Sequence, residues 1–336
     1  MLNLKQWIVS GCTLMGVVGL IPGQPRPAQG TIPIKPLVNE VSLANIKAHV
    51  DTLSNEIGPR DTPVAQAEAA DYIAEQLKAF GYSVTRNPVD ASENVIAQLP
   101  GQSNSNKLFV IGAHFDTVPN SPGADDNASA VAGMLEIARV LKDVEPDFRI
   151  EFVAFALEET GFVGSRQYVQ SVTAQGHNLI GMISLEMIGF ATNQPNSQKP
   201  FFTIPSCLAV SEEGRTVGNF IAAIGNNQSA TLLKTFQQAT TEYVPKLPVV
   251  TAQVTGDGAC FPNTRRSDHA PFWDQGYSAL MITDTANFRN PNYHSPQDTL
   301  KTLNLDFARK ATQATLATAL ISSTISVGRF CPAKPE

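Results

Sequence analysis

The chain has 336 residues, 43% of them hydrophobic and 16% charged, with a formal net charge of −6. That apolar content is enough to fill a large core and excludes a disordered polymer. A negative chain without basic clusters argues against a nucleic-acid partner, and no Gly/Ser-rich or charge-rich linker divides the middle, so one large domain is expected.

At the N-terminus Lys5 precedes an apolar stretch from Trp7 to Ile21, and PGQPRPAQG follows, with Ala28 and Gly30 at the small-residue positions of an export cleavage site. The expectation is a signal peptide over 1–30, a single domain over 31–336, and a periplasmic or secreted protein. The sequence VSGC at 9–12 also fits a lipoprotein processing box that would leave Cys12 acylated, and an uncleaved anchor is the plainer alternative. The apolar stretch is short for a membrane span, so none is expected in the mature form. Cleavage removes Lys5 and Arg26 and no acidic residue, which takes the net charge to −8. Of the three cysteines then left, Cys207, Cys260 and Cys331, an exported protein can oxidise two, and Cys207 with Cys260 is the expected pair.

Along the mature chain, SLANIKAHVDTLS (42–54) has apolar residues at helical spacing behind a serine cap. DTPVAQAEAADYIAEQLKAFGY (61–82) is a second helix, with Thr62 as cap, Pro63 as first helical residue and Gly81 as terminator. NVIAQLPG (94–101) and KLFVIGAHFDT (107–117) read as strands, the second continuously apolar from Leu108 to Ala113, as in a strand covered on both faces. A helix runs from near Asn127 to Leu141, RIEFVAFAL (149–157) is a buried strand, a helix follows from about Ser165, and LIGMISLEMIGF (179–190) supplies a third strand. The stretch 190–204 reads as an exposed loop. Beyond it come PFFTIP (200–205), a helix around GRTVGNFIAAIGNN (214–227), a strand at SALMITDT (278–285) and a final helix from about Leu305 to Val327. Alternating strands and helices predict an α/β three-layer sandwich around a mainly parallel mixed sheet.

In such a sheet functional groups gather at the carboxyl ends of the strands. His114 and Asp116 follow one predicted strand, Glu158 and Glu159 another, and Glu186 ends a third. Tyr293 and His294 come after the SALMITDT strand, and Asp125 and Asp126 stand at a helix start. Taken singly, either Asp could cap the helix, the histidine could be a loop residue, the paired glutamates could be a solvated strand end, and Glu186 could face an arginine. Taken together, two of the five histidines in the chain sit among carboxylates at strand ends, the pattern a binuclear metal site requires. Two divalent ions about 3.5–4 Å apart need a bridging carboxylate, and each needs an imidazole and a carboxylate with one position left open. A sixth group, a carboxylate that binds no metal, must move the proton of the attacking water to the leaving amine. The adjacent glutamates answer this need, because neighbouring side chains at a strand end point in different directions.

AHFDT, PGADDNASA, FALEETGFVGS, LEMIG and NPNYHSPQDT, in this order over about residues 90–300, resemble the co-catalytic di-zinc aminopeptidases of the bacterial leucyl aminopeptidase type, whose relatives include glutamate carboxypeptidases and glutaminyl cyclases. The resemblance implies a zinc-exopeptidase fold, two Zn2+ ions and peptide substrates with a free N-terminus. Residue by residue it implies that His114 binds one zinc and His294 the other, that Asp126 bridges them ahead of a cis peptide bond, and that Glu158 is the general acid/base. It further implies Glu159 as a ligand alongside His114 or His294, Glu186 as the remaining carboxylate, Tyr293 as support for the oxyanion and Asp116 as the group orienting His114. Ser267, Asp268 and His269, in RRSDHAPFWDQGY, border the site, with His269 structural rather than a ligand. Two positions depart from the family pattern: Glu186 stands where many members have Asp, and Ala130 where Gly is common. A glutaminyl cyclase-like acyltransferase with one zinc and a carboxypeptidase of the same superfamily use the same scaffold. A binding module that has lost the chemistry fits less well, since all six site positions are filled.

Overall fold

A computed structural model describes residues 32–102, 106–199 and 205–324. The leader with Cys12, most of PFFTIP, Cys331 and the last residues of the expected final helix lie outside the described residues. In chain order come α1 (Ile34–Asn39), α2 (Leu43–Asp51), α3 (Pro63–Ala79), β1 (Ser83–Val89), β2 (Ser92–Leu99), β3 (Lys107–His114), α4 (Ala130–Leu141), β4 (Arg149–Phe155), α5 (Val163–Ala174) and β5 (Asn178–Glu186). They are followed by β6 (Leu208–Val210), β7 (Ile221–Asn226), α6 (Ala230–Tyr243), β8 (Val249–Val254), α7 (Ala270–Asp274), β9 (Ala279–Thr283) and α8 (Leu305–Thr324).

The helix starts follow from side-chain chemistry. The Ser42 and Thr62 hydroxyls accept from the N–H of Asn45 and Ala65, satisfying donors that no helical carbonyl can reach. Gly81, just past α3, takes a left-handed φ of 98°, which ends the helix without a Cβ clash.

All nine strands form one sheet, ordered β1-β2-β4-β3-β5-β9-β7-β8-β6. The central four, β4, β3, β5 and β9, are mutually parallel, so their carboxyl ends share one rim. β7 runs antiparallel to β9, and β8 continues parallel to β7. Alternate residues of the central strands go to opposite faces. Phe109, Ile111, Ala113, Ile183 and Leu185 join the core under α3, α4 and α8, whereas Leu108, Val110 and Met182 join the core under α5 and α7. The segment IAAIGN at 221–226 is strand β7 rather than part of a helix. The reason is pairing at long range, with β8 on one side and β9 on the other, and a Cβ at Gly225 would come within 2.8 Å of Leu233 and 2.9 Å of Leu280, so glycine suits this close approach. Helix α6 and strands β1, β6 and β8 have no counterpart in the sequence reading. β1 is an edge strand with mostly exposed or half-buried residues and a proline, so it carries no apolar run.

The disulfide joins Cys207 to Cys260, the expected pair, and ties the entrance of β6 to the loop after β8. Among the described residues no helix is long and apolar enough to cross a membrane.

Candidate active site

The shared rim of β3, β4, β5 and β9 collects the site. β3 ends on His114 and β5 on Glu186; β4 ends three residues before Glu158, and the loop after β9 brings back Tyr293 and His294. Sharp turns redirect the chain there: Leu157, Met187 and His294 hold left-handed φ values of 57°, 47° and 54°. Non-glycine residues adopt this region at a cost of about 1–3 kcal/mol each, and such strain concentrates at functional sites.

Five predicted residues, His114, Glu158, Glu159, Glu186 and His294, gather around the sixth, Asp126. One carboxylate oxygen, Oδ1, lies 3.4 Å from His114 Nε2; the other, Oδ2, lies 3.1 Å from His294 Nε2. Glu186 Oε2 is 3.4 Å from His114 Nε2, and Glu159 Oε2 is 3.4 Å from His294 Nε2. Glu159 therefore sides with His294. Glu158 Oε2 stands 4.0 Å from His114 Nε2, outside both closer groups. Neither Asp125 nor Asp126 caps a helix through its side chain. The Asp126–Asn127 bond is cis, and Asn127 reaches across to β5, its Nδ2 donating to Leu185 O and its Oδ1 accepting from Met187 N.

Further groups hold these side chains in place. The Asp116 carboxylate accepts the backbone N–H of Glu158 with one oxygen and that of Glu159 with the other, each at 3.1 Å, which fixes the turn that splays the two glutamates. The Asp116 carbonyl lies 3.2 Å from His114 Nδ1. A carbonyl can only accept, so Nδ1 carries a proton and Nε2 is the ring nitrogen turned to the site. Ser267 Oγ donates to Glu186 Oε2 at 2.8 Å. Asp268 is fully buried, and burial pushes its carboxyl up to about 7. His269 turns away: its Nε2 meets Thr264 O at 2.7 Å, and burial lowers its pKa to about 3.

The electrostatics are those of crowded carboxylates under low solvent access. Burial raises Glu158 well above the usual carboxylate range and also raises Glu159. Burial works the same way on Asp126, but the imidazoles of His114 and His294 outweigh it and hold that carboxyl below its usual range. For His294 burial disfavours the cation, yet Asp126 and Glu159 outweigh it and push its pKa up to about 9.

These donors suit a metal. His114, Asp126 and Glu186 offer ligand atoms within 4.8 Å of one another; so do Asp126, Glu159 and His294, and so do His114, Glu158 and Glu159. Asp126 Oδ1 is buried without a hydrogen-bond partner, a cost that a coordinated cation would remove. Imidazole nitrogens and carboxylate oxygens are ligands zinc accepts in open sites.

The model of peptidase family M28 matches residues 94–319. The chain belongs to peptidase family M28. The uncharacterised protein YfbL of Escherichia coli is 32% identical over 295 residues, covering 83% of this chain and 87% of YfbL. The aminopeptidase YwaD of Bacillus subtilis is 26% identical over 246 residues, 70% of this chain but 44% of YwaD, so the chain spans under half of that relative. Among solved structures, the LapA aminopeptidase of Legionella pneumophila superposes with a TM-score of 0.70 at 19% identity, covering 89% of this chain and 78% of LapA, which shows a shared fold. The protein is thus a hydrolase of a zinc-dependent peptidase family.

Three residues that sequence reading passed over complete the site of this M28 peptidase. Arg266 lies in the quoted RRSDHA segment; its Nη2 donates to Tyr293 Oη at 2.8 Å, and the Tyr293 ring stacks on His294 at 3.7 Å. Arg60 is fully buried and spends its guanidinium on the carbonyls of Leu53, Gly58, Phe115, Pro122 and Gly123, stapling the loop between β3 and Asp126. Asp298 accepts the backbone N–H of Asp125 and Asp126 at 2.9 and 3.0 Å. Arg266 stands inside RRSDHAPFWDQGY and Asp298 inside NPNYHSPQDT, so both carry a signal in the sequence. Arg60, in EIGPRDTP between two helices, has no neighbour in sequence that signals its burial.

Proposed function

We propose that the protein is an exported aminopeptidase that removes the N-terminal residue of peptides with two zinc ions. The observation that carries this reading is the division of the Asp126 carboxylate, one oxygen toward His114 and Glu186, the other toward His294 and Glu159. Such a carboxylate supports two adjacent cations rather than one. His114, Asp126 and Glu186 would hold one ion, and His294, Asp126 and Glu159 the other. The bound metal supplies Lewis-acid polarisation of the scissile carbonyl and lowers the pKa of water toward neutrality.

The remaining steps fall to side chains. Glu158 takes the proton of the attacking water and delivers it to the leaving amine, and the burial that raises its proton affinity suits both transfers. Arg266 donates to the Tyr293 oxygen, so the phenol's own O–H is left to point into the pocket and donate to the developing oxyanion. Carboxylates lining the pocket, among them Glu158, Glu159 and Glu186, complement the α-ammonium of an unblocked peptide. The names of YwaD and LapA favour the same end of the substrate. Export, to the periplasm or medium, rests on the leader over 1–30, with a lipid anchor through Cys12 as the alternative; N-terminal sequencing of the mature protein separates them.

The deciding experiment measures zinc per chain and amino-acid release from matched free and acetylated peptides. Two zinc ions with hydrolysis of the free set alone is the expected result. Preference for the acetylated set defeats the aminopeptidase reading. Release from the carboxyl end points to a carboxypeptidase, and one zinc with cyclisation of N-terminal glutamine points to a glutaminyl cyclase.

A further inference from the structure

Beside the carboxylate cluster a second cavity opens, sharing with it Glu186, Arg266 and Tyr293. Its floor is the sheet itself. Strand register sets Glu186 opposite Thr283, Thr283 opposite Ala222, and Ala222 opposite Val250, one residue from each of β5, β9, β7 and β8. A second row runs beside it, from Met281 through Ile224 and Ala252 to Val210 of β6. Neighbouring strands lie about 4.8 Å apart, so the first row alone carries the cavity about 14 Å from the Glu186 backbone. Beyond Glu186 its floor is apolar save for Thr283, Phe261 and Phe288 stand along its sides, and the charged side chains of Lys199, Glu212, Glu213 and Arg215 line it as well. A leucine side chain has three bonds of about 1.5 Å beyond Cα and reaches at most about 4.5 Å. The trough is several times longer than that. It is open because Thr283 and Ala222, the first residues of the row beyond Glu186, are small.

We propose that this trough binds the side group of the amino-terminal residue and selects substrates in which that group is a long aryl rather than a short aliphatic one, with Ala222 as the residue that sets the permitted length. The inference rests on the aminopeptidase reading and extends it to a substrate class. The assignment of the acyl half follows from Glu158. The leaving nitrogen must lie within reach of the carboxyl that protonates it, and Glu158 lines the first pocket with Gly161 and Phe162, none of which lines the trough. The acyl half is left the opposite side, past Tyr293 and Arg266. The Cys207–Cys260 bridge flanks Leu208 and Phe261, both lining residues, and so ties two parts of the trough's wall together.

The test compares L-alanyl, L-leucyl, L-phenylalanyl and 4-phenyl-L-phenylalanyl 4-nitroanilides with the zinc-loaded full chain. The expected order of kcat/KM rises from alanyl to phenylalanyl and does not fall for the 4-phenyl substrate. One methylene in an apolar pocket is worth roughly 10- to 200-fold, so Ala222→Phe should cut the ratio of 4-phenylphenylalanyl to alanyl kcat/KM by at least about tenfold. Ala252→Phe, one strand further out, should lower the 4-phenyl ratio while sparing the leucyl one. Ratios within one variant are insensitive to a general loss of folded protein. Calorimetric titration of the metal-free protein with 4-phenyl-L-phenylalanine should show binding that Ala222→Phe abolishes. Cleavage of leucyl but not 4-phenylphenylalanyl substrate, an unmoved ratio in Ala222→Phe, or no binding by the metal-free protein overturns the trough alone. No turnover of any substrate overturns the aminopeptidase reading as well.

Discussion

The central and outer halves of the sheet solve different problems with the same strands. In β4, β3, β5 and β9 the faces are covered by helices and the side chains of the site stand at the carboxyl ends, where His114, Glu158, Glu159 and Glu186 emerge. In β7, β8 and β6 the ends carry no such cluster among the described residues, while one face is left as the floor of an apolar trough. Chemistry needs side chains of several strands aimed at one point, which strand ends provide. Selection by size needs a broad, dry surface, which a strand face provides. The two halves meet only where Glu186, Arg266 and Tyr293 line both cavities.

That separation gives measurable expectations. The largest effect is removal of metal: exhaustive chelation should abolish turnover, and zinc should restore it, with activity tracking the ions returned; a chelated sample that stays active would break the assignment of the central rim. Next, Glu158→Gln should lower kcat by roughly 10²- to 10⁴-fold, the usual worth of a general acid/base. Zinc content should hold at the wild-type level, which separates a proton carrier from a ligand. In the outer half, replacing Cys207 and Cys260 by serine should cost about 2–4 kcal/mol in denaturant unfolding, since the bridge closes a loop with a sequence separation of 53. Zinc affinity should not follow; if it did, the two halves would be coupled. The smallest effect is expected from Asp116→Asn, which loses one of two acceptors for the N–H groups of Glu158 and Glu159. Loss of a group that orients ligands typically costs 10- to 100-fold in metal affinity or activity, read here by competition with a chelator of known affinity.

The parts legible in the sequence share a local signature. An apolar run followed at once by His, Asp or Glu marks a buried strand and its functional end, and β3, β4 and β5 all announce themselves this way. The helices α2 and α3 were legible through their caps, which are side-chain reactions with the nearest backbone. IAAIGN has neither alternation nor a strand-forming majority; it is extended because it pairs with β8 on one side and β9 on the other, and Leu233 of α6 and Leu280 of β9 leave no room for a Cβ at Gly225. Arg60 was invisible for a similar reason, since its acceptors lie in three separate stretches of chain.

What the sequence determined by itself, then, was which residues could do chemistry and on which strand ends they stand, because both depend on contacts within a few residues. The tertiary structure decided which histidine Glu159 joins, how the oxygens of Asp126 are divided, and that Thr283, Ala222 and Val250 line up as one floor. Those facts are matters of register between strands far apart in the chain. Register is fixed only when every strand has packed against its neighbours.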